Sequence, residues 1–407
     1  MSATSAPQSA PASGPLAGLR VIELGVLIAG PFCGQLLGDL GAEVIKIEPP
    51  GQPDPLREWG AVRPDGHGLW FSIIGRNKKC ATLDLRKEDG QQVLKALIAK
   101  ADIIIENFRP GTMEKWGLGY DELKKINPGI IMVRVSGYGQ TGPASHKAGY
   151  AAVGEAMGGL RYLIGEPDRL PARAGISLGD TLAAIYAALG ALAALEHRRR
   201  TGCGQVVDSA IYEACLAVTE SLVPDYQMGG FVRERTGSFL PKIAPSNIYR
   251  SKDGMLIIAA NQDSVFKRLA EAMGRPELAA DPRYATHGAR GDNQRELDEL
   301  INGWAGAFTT DELLARCEEH AVPSGKIYRA PDMLDDPHYK AREAITAVRH
   351  AALGEIMMPN VFPKFSETPG AVRWAAPEPG QDNSYVYGSL LGYSAADISR
   401  LEDNGVI

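Results

Sequence analysis

The chain has 407 residues, 44% of them apolar and 23% charged, with a formal net charge of −6. That length supports two or three ordinary domains, and mild acidity without a basic stripe and interleaved aromatics argues against a nucleic-acid partner. Five cysteines (Cys33, Cys80, Cys203, Cys215, Cys317) with no C-x-x-C spacing point to a reduced, cytoplasmic chain with neither zinc knuckle nor disulfide framework.

Residues 1–14 form a Ser/Ala/Pro tract that cannot bury surface, and a disordered lead-in is expected there. Arg20–Leu24 is a short apolar strand, Gly30-Pro31 opens a helix carrying Phe32, Leu36, Leu37 and Leu40 on one face, and Glu43–Ile47 is a second strand. This βαβ start predicts a parallel sheet. Strands at Cys80–Leu85, Ala101–Glu106 and Gly129–Val135 alternate with helices at Glu88–Ala99 and Asp121–Ile126, the rhythm of an open doubly wound α/β domain. Leu182–Leu195 is apolar but only about two-thirds of a bilayer span, and it is flanked by Asp180 and Glu196, so a buried core helix and no membrane partner are expected. Gln205–Asp208 is a further strand. Residues 225–335, with a strand at Met255–Ala259 and helices at Val265–Met273, Gln294–Phe308 and Thr310–His320, predict a smaller α+β domain. The Pro- and Gly-rich remainder, 336–407, resembles a return strap ending in a helix at Ala395–Leu401.

The first βαβ unit lacks G-x-G-x-x-G; Gly25–Pro31 does not give the pyrophosphate turn, which argues against a nicotinamide cofactor. The seven histidines form no H-x-x-x-H or H-E-x-x-H, and no serine sits in G-x-S-x-G, so no metal site or serine hydrolase is indicated. Asp180 stands at the start of the alanine-rich helix, behind glycine. By itself it fits an N-cap. Equally, the helix start would keep the carboxylate ionised and stabilise an oxyanion formed as it attacks an activated acyl group. The glycine-containing segments Glu106–Gly111 and Ser136–Pro143 both follow strands, on the usual binding edge, and Arg76–Lys79 is either a solvated basic face or a phosphate contact.

Taken in order, these segments are recognisable. Leu19–Leu24 with Ala29–Pro31, Gly41–Glu48, Arg76–Lys79, Glu106–Gly111, Gly137–Pro143, Gly179-Asp180 and Thr201–Gln205 together resemble the class III CoA-transferases, the family of formyl-CoA transferase and carnitine CoA-transferase. The resemblance runs from Leu16 to the C-terminus. It implies an α/β fold in which a large Rossmann-like domain is built from both chain ends (15–224 and 336–407), with a smaller α+β domain between them (225–335) and two subunits interlocked as a dimer. It implies Asp180 as the catalytic nucleophile, acting through an aspartyl anhydride and an aspartyl-CoA thioester. CoA contacts carry over to Val26, Leu27, Ala29, Leu83, Arg86, Asn107, Phe108, Lys115 and Tyr138, with Arg86 and Lys115 suited to the phosphates. CoA enters as substrate; no tightly bound cofactor or metal is implied. A flap shielding the anhydrides is expected near Gly229-Gly230 or Thr236–Ser238. Pro49 stands where the formyl-CoA branch has a basic residue.

The related α-methylacyl-CoA racemases carry a catalytic histidine where this chain has Tyr150, within Ala148–Ala151. A phenol with a pKa of about 10 does not replace that histidine near neutral pH, so a racemase is the alternative, beside a silent CoA-binding subunit. Glu48–Gly51, Gly117–Tyr120 and Lys147–Tyr150 resemble the branch that uses succinyl-CoA as donor and a dicarboxylic acid as acceptor: malate, itaconate, citramalate, glutarate or a substituted succinate such as benzylsuccinate. Arg57, Arg76, Arg161 and Arg173 are candidates to hold the distal carboxylate. Either a homodimer or a heteromer with a related chain fits the resemblance.

Overall fold

The computed structural model describes residues 13–407; the expected lead-in therefore lies outside the described residues except for Ser13 and Gly14. The chain divides into two compact units. One takes the chain up to Leu160 together with Ala174–Glu220 and Lys340–Ile407; the other takes Arg161–Arg173 with Ser221–Tyr339.

The first unit opens as β1 (Arg20–Glu23), α1 (Ala29–Asp39), β2 (Glu43–Glu48), α2 (Leu69–Ile74), β3 (Lys78–Thr82) and α3 (Glu88–Ile98). It continues as β4 (Ile103–Glu106), α4 (Thr112–Lys115), α5 (Tyr120–Ile126), β5 (Ile131–Ser136), α6 (Ala151–Met157), the first residue of α7 (Leu160–Leu163), whose other three belong to the second unit, then α8 (Leu178–Thr201), β6 (Val206–Ala210) and α9 (Ile211–Leu216). The six strands are all parallel, in the order β3-β2-β1-β4-β5-β6. This is the Rossmann order, whose strand direction of growth reverses between β1 and β4. Alternation along each strand divides the core. Val21, Val44, Ile103 and Val133 face α1, α8 and α9, whereas Ile22, Ile45, Ile104 and Met132 face α3 and α5.

Helix α8 is longer than the apolar run suggests: 24 residues, closed by Gly202 in the left-handed conformation (φ 75°). By length and apolar composition it would suffice to cross a membrane. Its alanine face, however, lies in the core through Ala183, Ala184, Ala187, Ala191 and Ala194. Small residues let it approach the sheet; a Cβ on Gly190 would stand 2.5 Å from Val207.

The second unit holds α10 (Leu222–Gly229), β7 (Ser246–Arg250), β8 (Met255–Ala259), α11 (Asp263–Ala272), α12 (His287–Asp292), α13 (Gln294–Ala305), α14 (Thr310–Glu319), β9 (Ser324–Lys326), α15 (Ala330–Asp335) and α16 (Pro337–Ala341). Its sheet β7-β8-β9 is antiparallel. Tyr249, Leu256 and Ile258 on one face close a core with Phe266, Leu269, Leu297, Ile301 and Leu313 of the helices.

The returning chain is more structured than a strap. β10 (Ile345–His350) and β11 (Gly354–Pro359) pair as a hairpin, a π-helix spans Ser384–Leu390, and α17 (Ala395–Asp403) precedes a buried Val406 and Ile407. This segment completes the first unit by covering the edge strand β3. Cys80 N–H donates to Asp382 (2.8 Å), Thr82 N–H to Asn383 (2.9 Å) and Asp84 N–H to the Val406 carbonyl (2.8 Å). An edge that would otherwise offer open N–H groups is thereby satisfied.

Candidate active site

Open α/β sheets bind ligands beyond the carboxyl ends of their strands, at the point where strand order reverses. Here that point lies between β1 and β4, and the turn Gly25–Ile28 leaves β1 at it. The turn is bound on all sides by side chains. Asn107, just past β4, accepts from Val26 N–H (2.9 Å) and donates to the Val26 carbonyl (2.8 Å). Asp54 accepts from Leu27 N–H (3.1 Å) and Leu56 N–H (2.9 Å), and Lys46 donates to the Gly25 carbonyl (2.7 Å). Leu27 is held at φ 62°, a left-handed conformation that is unfavourable by about 1–2 kcal/mol for an L side chain.

Beneath the turn lies a buried charge network. Lys46 pairs with Asp54 at 2.9 Å and Glu23 at 3.3 Å; Lys78 pairs with Glu23 at 2.7 Å. Burial opposes the Lys46 charge, but Asp54 first and then Glu23 and Glu48 hold its pKa above the ordinary lysine value. Burial pulls the Lys78 pKa down, and the neighbouring Lys46 charge adds to that. Gly34 of α1 makes room for the network, since a Cβ there would stand 1.9 Å from the Glu23 carboxylate.

The residues to which the resemblance assigns CoA contacts all follow β1, β3, β4 or β5 on this same edge. Val26 and Leu27 are half-buried in the turn, and Ala29 is buried at the start of α1. Leu83 is a core residue whose N–H is bonded to the Glu48 carbonyl, so it offers a ligand almost no surface. Arg86 is exposed and forked onto Asp84 through bonds of 2.8 and 3.0 Å, so a phosphate would share that guanidinium with a carboxylate. Asn107 already directs both ends of its amide at Val26. Phe108 is edge-on to Trp116 (5.4 Å between centroids), and its N–H donates to Glu106, itself paired with Arg134. Lys115 is exposed on α4; Tyr138 is half-buried and lies against Gly149, whose Cβ would come within 2.9 Å of the ring. The Gly139-Gln140 turn is fixed by Ser136 Oγ (3.0 Å) and by Asp208 (2.8 Å), whose carboxyl burial pushes upward in pKa.

Asp180 is the third residue of α8, in its first turn, and Ser177 rather than Asp180 occupies the N-cap. The cap reading is corrected accordingly. At this position the carboxylate still meets the positive end of a 24-residue helix. It is half-buried, whereas Gly179 before it is enclosed: a Cβ there would meet Ile211 at 3.0 Å, Glu155 at 3.1 Å and the Ala151 carbonyl at 3.2 Å. Glu155 of α6, 3% exposed, accepts from Gly179 N–H at 3.2 Å. Cys215 of α9 is buried close by, and burial, then the charges of Glu155 and Asp180, push its thiol up to about 11. A thiol so silenced stays out of acyl chemistry near neutral pH.

Two distal-carboxylate candidates are engaged elsewhere. Arg57 forks onto Glu48 (2.9 and 3.0 Å), donates to the Pro377 carbonyl and lies over the Phe71 ring. Arg76 is buried on Asp39 at 2.6 Å and donates to the Pro359 carbonyl. Arg161 and Arg173 belong to the second unit. The remaining basic cluster is structural too, with Lys78 on Glu23 and Lys79 on Glu43 (2.7 Å), so Arg76–Lys79 is not a phosphate face. Sequence reasoning missed Glu23, Asp54 and Glu155. Asp54-Pro55, an acid before a proline-led turn, was the available signal for Asp54.

A Rossmann-ordered sheet whose first turn is held by side chains rather than by a glycine loop, with a carboxylate in the first turn of α8 on the same unit, is an α/β architecture without the dinucleotide-binding turn. The model of CoA-transferase family III matches residues 16–383, and the chain belongs to that family; it is a class III CoA-transferase. It is 56% identical over 394 residues to the succinyl-CoA–D-citramalate CoA-transferase of Chloroflexus aurantiacus, covering 97% of this chain and 98% of that one. It is 43% identical over 409 residues to the succinyl-CoA–L-malate CoA-transferase alpha subunit of Chloroflexus aurantiacus, covering 98% and 95%. Among solved structures, a CAIB/BAIF family protein from Brucella suis matches with TM-score 0.82 and 35% identity, over 93% of this chain and all of that one.

Proposed function

We propose that this enzyme moves CoA from succinyl-CoA to a branched or hydroxylated dicarboxylic acid of the citramalate and malate kind, with Asp180 as the covalent relay. The observation that carries the chemistry is a half-buried carboxylate in the first turn of α8, with its backbone N–H groups and positive helix end beside it. An Asp180 oxygen attacks the succinyl thioester carbonyl, a C–O bond forms, the C–S bond breaks, and CoA leaves as thiolate. The thiolate then attacks the Asp180 acyl carbon of the mixed anhydride and expels succinate, leaving an aspartyl-CoA thioester. The acceptor carboxylate displaces CoA from that thioester, and the thiolate attacks the acceptor's acyl carbon in the new anhydride. Acceptor-CoA departs and Asp180 is regenerated. One thioester is broken and one is made, so the exchange is nearly isoenergetic.

The choice of acceptor rests on the two Chloroflexus relatives, whose names specify D-citramalate and L-malate. The dicarboxylate's far end calls for a fixed cationic donor. An interlocked dimer, or a heteromer of the alpha-and-beta kind, is the assembly we propose.

The test has two arms. Incubation with succinyl-CoA followed by hydroxylamine or borohydride should modify Asp180 in a peptide map, and modification at another carboxylate would reject it as the relay. A screen of succinyl-CoA against malate, citramalate, itaconate, glutarate and benzylsuccinate should give its highest kcat/KM with citramalate. Preference for a monocarboxylate would reject the substrate class. Rapid exchange of the α-proton of a 2-methylacyl-CoA without any acceptor would instead favour a racemase.

A further inference from the structure

The turn after β1 is fixed by three side chains, two of which, Lys46 and Asp54, are not among the CoA contacts that the resemblance assigns. Gly25, Val26 and Leu27 have four backbone polar groups answered by three side chains from three other segments: Lys46 of β2, Asp54 beyond β2, and Asn107 beyond β4. Asp54 is 2% exposed and bonded to Lys46, Leu27 and Leu56, all of the protein itself. Leu27 at φ 62° is a conformation few non-glycine residues hold without support. An unsupported Leu27 would relax toward negative φ, swinging the N–H and carbonyl groups of the turn away from the edge where strand order reverses.

We propose that Asp54, seated on Lys46, is a positioning residue for CoA binding: it holds Leu27 in the left-handed conformation and so keeps the Gly25–Ile28 turn pre-formed, with Asn107 as the second clamp. The inference rests on the reading that this turn meets CoA. Asp54 itself touches no substrate. Its contribution is to the fraction of molecules whose turn is competent to bind. If that fraction falls to about a tenth, the apparent Kd for CoA rises about tenfold while the intrinsic contacts stay the same. Glycine at position 27 adopts positive φ without support, so the role of Asp54 becomes dispensable in that background.

The experiment is a double-mutant cycle on CoA affinity, by calorimetry, with Asp54→Ala and Leu27→Gly. Asp54→Ala should weaken CoA about tenfold or more in the wild-type background and by less than about threefold in the Leu27→Gly background. In Asp54→Ala the loss should fall on the KM for CoA rather than on saturating kcat. An equal loss in both backgrounds overturns the inference, because Asp54 would then not act through Leu27. Should Asp54→Ala not fold, Asp54→Asn, which keeps an acceptor for Leu27 N–H, and Asn107→Ala carry the same cycle. Asp54→Asn should keep most of the affinity and Asn107→Ala should lose it; the reverse order overturns the proposal. CoA titration followed on the Val26 and Leu27 methyl resonances of the wild-type protein separates the two layers. Unmoved resonances reject the reading that the turn meets CoA; moved resonances with full affinity in Asp54→Ala reject the positioning role alone.

Discussion

The turn after β1 and the start of α8 both present backbone at a candidate active site, yet they are held by different means. The turn is fixed by polar side chains with buried charges beneath: Asn107, Asp54 and Lys46 each take a backbone group. The start of α8 joins a side-chain bond, Gly179 N–H to Glu155, to close packing at glycines. Gly154 of α6 and Gly158 just past its end face Ile211 and Cys215, and Gly179 is wedged among Ile211, Glu155 and Ala151. Directed hydrogen bonds set which way a polar group points, which suits recognition of a polar cofactor moiety. Missing Cβ atoms set the spacing between helices, which suits placing one carboxylate at a reacting carbon, where a shift of about 1 Å is worth about a hundredfold in rate.

That contrast can be broken experimentally. The largest effect is expected for Asp180→Ala, which should lower kcat by at least about 10⁴-fold, as loss of a covalent nucleophile does, with CoA Kd nearly unchanged; turnover within tenfold of wild type would end the relay assignment. Next, Gly179→Ala should lower kcat about a hundredfold with CoA affinity retained, measured by steady-state kinetics and calorimetry together. If affinity falls as far as kcat, the two regions are not separable. Lys115→Ala should raise the KM for CoA about tenfold, as for loss of a charge-assisted bond, and Arg86→Ala by less, because Asp84 already neutralises that guanidinium. Both effects should shrink as salt is raised.

The smallest effect concerns pH. Burial acts to raise the Glu43 pKa, but hydrogen bonds from Lys79, Tyr385 and Arg20 outweigh it and bring it from 4.5 to about 2. A depressed carboxyl stabilises the fold fully above its unfolded pKa and loses that contribution as pH falls through the folded one. Glu43→Gln should therefore lower the urea midpoint at pH 7, and its gap from wild type should close between about pH 4.5 and 2. A gap that stays constant over that range would show that the Glu43 charge is not what stabilises.

Much of the first unit was legible because its signals are local. Apolar runs of Val and Ile mark its strands, and in the second unit Met255–Ala259 was anticipated residue for residue. The large Rossmann-like domain built from both chain ends follows from the family resemblance, and the first unit does combine the N-terminal sheet with the C-terminal segment along β3. What was illegible depends on distant partners. Arg76 and Lys78 read as basic surface because Asp39 and Glu23 lie 37 and 55 positions earlier in the chain, too far for any spacing rule. Leu27 carries no sign of positive φ, since leucine is an ordinary residue there and the cause is Asp54. The β10–β11 hairpin was taken for strap because the prolines at its end and beyond, from Pro359 to Pro379, set the reading of the whole segment. At Asp180 the residue was legible, but its rank within the helix turn was not, because Ser177 and Asp180 both suit a helix start.

The cover over β3 also bears on the order of events during synthesis. The strand's N–H partners at Asp382 and Asn383 are made about 300 residues after Cys80 and Thr82, which at about 5–20 residues per second means roughly 15–60 s on the ribosome. For that interval the nascent parallel sheet carries an open margin, and the last-made segment acts as its own late-arriving guard against strand addition from another chain.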